Sequence, residues 1–123
     1  MIGVNIGGPR GGKVREEQKI WDFVNECIDI LGLEKYDFGL EIIVSNQFEE
    51  GFSDAVGACY GDTEEIVVEL ARKDWDGQKT EILITLAHEM IHVLQCAKGD
   101  YMYENPARKH EGFLFDLVME RLM

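Results

Sequence analysis

His88, Glu89 and His92 are the residues whose types and spacing carry chemistry in this chain, reading His88-Glu89-Met90-Ile91-His92. On a helix, side chains four positions apart lie on one face, so the two imidazoles can grip a single zinc ion. Glu89, one position on from the first histidine, can then reach a water held by that ion and act on it as a general base. The pattern has this meaning only on a helix. Leu83, Leu86, Ala87, Met90, Ile91 and Leu94 supply the apolar side of one. The competing reading, two histidines satisfying hydrogen bonds in a core, would bury a carboxylate beside them at considerable cost.

A catalytic zinc takes three protein ligands and keeps a fourth position open, so one more side chain is required. His110 is the first candidate, because it precedes Leu114 by four residues and Val118 by eight and so continues an apolar seam. Glu111 and Glu104 are the alternatives. Glu111 is rotated about 100° from His110, and Glu104 falls just outside the expected start of the last helix. Both also suit a helix N-terminus simply as charges. Cys96 continues the His88–His92 row but lies roughly 12 Å along the axis from His88, so it reads as packing. Tyr101 and Tyr103 stand between the two ligand helices, where a phenol could steady an oxyanion, although surface or core packing is the better reading.

The elements around these residues follow from periodicity. Residues 1–13, with Gly-Gly-Pro-Arg-Gly-Gly at positions 7–12, read as a flexible arm. Ile20, Val24, Cys27, Ile28 and Leu31 give an amphipathic helix from about Val14 to Leu31, stopped near Gly32. Phe38–Val44, Ala55–Tyr60 and Glu65–Ala71 read as strands, the last two joined through Gly61-Asp62-Thr63-Glu64, which together predict a small antiparallel sheet. Thr80 is the expected N-cap of the histidine helix, which runs to about Ala97 and stops at Gly99. Asn105-Pro106 is the expected start of the last helix. The class is α+β, with residues 14–123 as a single domain.

Residues 80–122 resemble the SprT-like zinc metalloproteases, in which a helical H-E-x-x-H is followed after about twenty residues by a histidine on the next helix. Here that spacing runs from His92 to His110-Glu111-Gly112-Phe113-Leu114. The resemblance implies a zincin-like fold, zinc held by His88, His92 and His110, and Glu89 as the catalytic acid/base. It implies hydrolysis of peptide bonds in protein or peptide substrates, which a sheet edge beside the site would hold by strand addition. Glu111 and Leu114 depart from the family, which often has Gly and Phe at those positions. The alternative from another class is a non-catalytic zinc-binding interaction module, in which the ion staples a small core and the acidic surface meets a basic partner.

Charge and cysteine usage exclude other classes. Twelve Lys and Arg against 24 Asp and Glu leave a net charge of −12, which repels nucleic-acid backbones. Lys98, Arg108 and Lys109 form the one late basic cluster, the only footing for recruitment to DNA by another subunit. Three cysteines without C-x-x-C spacing predict neither a disulfide framework nor a zinc ribbon, and suit a reducing, cytoplasmic setting. No apolar run suggests a membrane span. Gly7 to Lys13 spells the phosphate-loop pattern G-x-x-x-x-G-K, but Val14 stands where a Ser or Thr would hold magnesium, so that reading is set aside.

Overall fold

The computed structural model describes residues 2–14, 16–45, 57–71, 79–100 and 103–123. Within them the order is β1 (Ile2–Gly7), α1 (Glu17–Ile30), β2 (Phe38–Ser45), β3 (Gly57–Gly61), β4 (Glu65–Ala71), α2 (Lys79–Ala97) and α3 (Glu104–Leu122). The strands form one sheet in the order β1-β2-β4-β3. The chain is therefore mixed α and β, consistent with the α+β expectation.

The sheet differs from the antiparallel one expected. β1 with β2 and β2 with β4 pair in parallel, and only β3 with β4 is antiparallel. Parallel neighbours need a long crossover, and α1 supplies one between β1 and β2. β1 itself falls in the segment expected to be a flexible arm. Its alternating Ile2, Val4 and Ile6 meet Phe38, Leu40 and Ile42 in register, and that apolar contact orders the segment despite its glycines.

Alternation then fixes which face is buried. Phe38, Leu40, Ile42 and Val44 of β2 and Ile66, Val68 and Leu70 of β4 are buried, while Gly39, Glu41, Ile43 and Ser45 between them are half-buried or exposed. The buried face meets Ile20, Phe23, Val24, Cys27 and Ile28 of α1 and Leu86, Ala87, Met90 and Val93 of α2 in one core. α1 ends where Gly32 takes a left-handed conformation, φ 66°, which only glycine adopts without strain. In the β3–β4 turn, the Asp62 carboxylate accepts the amides of Glu65 at 2.9 Å and Glu64 at 2.8 Å, and these bonds hold it below its ordinary pKa.

Two helix starts are shifted. α2 is described from Lys79 onward, so Thr80 lies within the helix rather than ahead of it. α3 begins at Glu104 with Tyr103 as N-cap, two residues before the Asn105 cap expected, and Pro106 sits in its first turn, where its missing N–H costs nothing. α3 packs mainly on α2 and also on α1. Among the described residues, no helix is long and apolar enough to cross a membrane.

Candidate metal centre

α2 delivers His88, Glu89 and His92 as one turn of a helix whose apolar side is sunk in the core. His92 and Glu89 are both deeply buried, at 4% and 5% residual exposure. The two imidazole rings meet edge to face with centroids 4.8 Å apart, and their Nε2 atoms lie 3.2 Å from each other. α3 brings the third donor, Glu104. Its Oε1 is 2.8 Å from His92 Nε2 and its Oε2 is 3.3 Å from His88 Nε2. Among the described residues this is the group that could hold a metal ion, its ligand atoms all lying within 4.8 Å of one another.

The donor set fits zinc. Two imidazole nitrogens and a carboxylate are the ligands of an open, three-protein-ligand site. Bonds of about 2.0–2.1 Å at tetrahedral angles place donors roughly 3.3 Å apart; His88 Nε2 lies 3.2 Å from His92 Nε2 and 3.3 Å from Glu104 Oε2, while Glu104 Oε1 stands closer to His92 Nε2, at 2.8 Å. Glu104 is the exposed member, with 58% of its side chain accessible, which leaves the centre open on one side. A cleft of about 240 Å³ opens there, lined by Gly57, Ala58 and Cys59 of β3 together with Glu89, His92 and Glu104.

Glu89 occupies the wall of this cleft and is not among the converging donors. Its Oε2 is buried and has no hydrogen-bond partner among the described residues. An orphaned carboxylate oxygen is expensive in a core, and its natural partner is a polar group entering the cleft. Burial pushes the Glu89 carboxyl above its ordinary pKa. The imidazoles of His88 and His92 pull it down, and the carboxylates of Glu104 and Glu111 push it up again. At Glu104 burial also raises the pKa, but the hydrogen bond with His92 and the charges of both imidazoles outweigh it and leave the group lowered. The wall opposite Glu89 requires glycine: a Cβ on Gly57 would stand 2.7 Å from Thr85 Cγ2 and 3.3 Å from Glu89 Cγ and Oε1.

His110, expected as the third ligand, is not brought to the cluster; it lies exposed on α3. Glu104 and Glu111 are seven residues apart, which returns a helix to within about 20° of the same face, and His110 is turned a further 100° away. Glu111 reaches the cluster from behind, with Oε2 2.6 Å from His88 Nδ1. Gln95, which the sequence motif does not include, lies 2.8 Å from His92 Nδ1 through its Oε1. Its place three residues after His92, on the same helical face, was the available signal. Gly57 carried no such signal, because its role depends on the pairing of distant segments.

The remaining candidates lie apart from the chemistry. Cys96 is buried and donates its thiol to the Asp62 carbonyl oxygen at 3.3 Å, in keeping with packing. Tyr103 is 58% exposed and is not among the residues lining the cleft, and Tyr101 lies outside the described residues. Of the basic cluster, Lys98 pairs with Asp100 at 3.8 Å, and Arg108 Nε lies 3.5 Å from Glu104 Oε2. In the glycine-rich loop after β1, the amides of Gly8, Gly11 and Gly12 bond to the loop's own carbonyls rather than forming a phosphate cradle. Comparison of the chain with protein-family models, with curated proteins and with solved structures found no match in any of the three.

Proposed function

We propose that the chain is a zinc-dependent metallopeptidase of the H-E-x-x-H type, as its resemblance to SprT-like proteases implies, with His88, His92 and Glu104 as ligands in place of a set ending in His110. One observation carries this reading. Two imidazole nitrogens and a carboxylate converge beside a buried glutamate whose second oxygen has no partner among the described residues, and Glu89, His92 and Glu104 line an open cleft. A purely structural metal site gains nothing from such a glutamate, whereas hydrolysis requires a base at that place.

Zinc bound there would supply Lewis acidity, polarising a substrate carbonyl and lowering the pKa of water. The chain's own residues do the rest. Glu89 removes the proton from the attacking water, holds it in a buried setting that favours the protonated carboxyl, and delivers it to the leaving amine. Among the described strands β3 lies at the end of the sheet, and its Gly57–Cys59 segment lines the cleft, so an extended peptide can add to that edge. Backbone pairing of this kind tolerates varied sequences, as suits a protein or peptide substrate.

The test is Glu89→Gln. Zinc content should stay stoichiometric with the chain, while hydrolysis of an unfolded protein such as reduced casein falls by about 10²–10⁴-fold. A wild-type protein that binds zinc and cleaves nothing would leave the non-catalytic zinc module as the better reading.

A further inference from the structure

We propose that Glu111 and Gln95 are positioning residues that hold Nδ1 of His88 and His92 as proton donors, so that both Nε2 atoms face the Glu104 carboxylate and are the nitrogens offered to an ion. The proposal rests on the metal reading above and adds to it which groups aim the ligands.

The tautomers follow from the hydrogen-bond partners. An ionised carboxylate only accepts, so Glu111 Oε2, 2.6 Å from His88 Nδ1, requires the proton on that nitrogen. For His92 the argument runs through Gln95. Its amide Nε2 donates to the Tyr103 carbonyl oxygen at 3.2 Å, which turns its Oε1 toward His92 Nδ1 at 2.8 Å. An amide oxygen also only accepts, so His92 too carries its proton on Nδ1. That leaves Nε2 of each ring to the cluster, the two atoms 3.2 Å apart and beside a carboxylate. In the ion-free chain the 2.8 Å contact of His92 Nε2 with Glu104 Oε1 is a hydrogen bond donated by the ring, and an ion binding there takes the place of its proton.

The geometry also separates Glu111 from the ligands. It holds the nitrogen on the far side of the His88 ring from Glu104, and so orients the ring without competing for the ion. Both orienting contacts depend on α3. Glu111 belongs to it, and the carbonyl that fixes Gln95 belongs to Tyr103, its N-cap. Docking of α3 on α2 therefore delivers Glu104 and sets both rings in one event.

Cobalt(II) affinity, measured by competition with a chromophoric chelator, tests this. Glu111→Ala and Gln95→Ala should each weaken binding about 10–100-fold. Glu111→Gln, whose amide oxygen can still accept from Nδ1, should restore most of the affinity. The visible cobalt spectrum should stay that of wild type in all three and change in Glu104→Ala. In the zinc-loaded protein, nitrogen-15 NMR should show His88 and His92 with protons on Nδ1, and Glu111→Ala should disturb the His88 signal and spare exposed His110. Wild-type affinity in both alanine variants would overturn the proposal. So would a cobalt spectrum altered by Glu111→Ala and not by Glu104→Ala, which would make Glu111 the ligand. Should Glu111→Ala fail to fold, Gln95→Ala tests the same idea through His92. A wild-type chain that binds neither cobalt nor zinc overturns the metal reading and this one together.

Discussion

At the scale of single residues, the position of Glu89 is set as much by what Gly57 lacks as by what surrounds it. A methyl group there would press on the Thr85 side chain at 2.7 Å and meet Glu89 at 3.3 Å. Thr85 belongs to the turn of α2 that precedes Glu89, so the strain would be relieved by shifting α2 away from β3 or by turning the carboxylate. Gly57→Ala should cost about 1–3 kcal/mol of stability, as overpacking does. It should also reduce peptidase activity while metal affinity stays within a few-fold of wild type, because the closest contacts of the added methyl group would be with Thr85 and Glu89 rather than with a proposed ligand. Urea melts, chelator competition and a casein assay on one preparation check all three. Unchanged activity would mean that Glu89 does not need its present place.

At the scale of elements, the centre is a product of how α3 lies on α2, and this decides what the sequence could tell. The histidine pair was legible because it is local: one helix, one face, four residues. The third donor was not, because it depends on where α3 starts. Asn105-Pro106 is a sound start signal, yet the helix takes Glu104 into its first turn, where a carboxylate suits the helix dipole, and places it in line with Glu111. β1 was visible in the alternation of Ile2, Val4 and Ile6 but masked by its glycines, and its parallel pairing could not be read from neighbours in sequence. The stripe that seats α3 continues through Ala107, Leu114 and Val118, all buried. Leu114→Ala should therefore cost about 2–5 kcal/mol. Adjacent Phe113, 67% exposed, should change stability by no more than about 0.5 kcal/mol when replaced by Ala. Because the rings of His88 and His92 are aimed through α3, Leu114→Ala should also weaken cobalt binding, and Phe113→Ala should not. Paired denaturation and metal titration of the two variants distinguish a seated α3 from one held by the ion alone.

At the scale of the whole molecule, the question is whether the metal makes the fold or uses it. Among the described residues, a sheet of four strands with helices on its buried face encloses a core that runs from Ile6 to Val118, and most of it is independent of the cluster. The apo chain should therefore fold cooperatively, unlike a small domain stapled by zinc, which unfolds without its ion. Binding to the native state alone still adds stability by mass action. With free zinc at a hundred times its dissociation constant the gain is about 2.7 kcal/mol, which for 123 residues raises the melting temperature by roughly 10 °C. Removing the ion with a chelator should lower Tm by that amount, leave the far-ultraviolet circular dichroism unchanged, and be reversed by added zinc. His92→Ala should melt near the chelated value and show no response to zinc, since its ring supplies one of the converging nitrogens. Collapse of the whole fold on chelation would point to a structural staple. Identical melting with and without zinc would remove the ion from the account of this cleft, and Glu89 would then be a buried carboxylate without a reason.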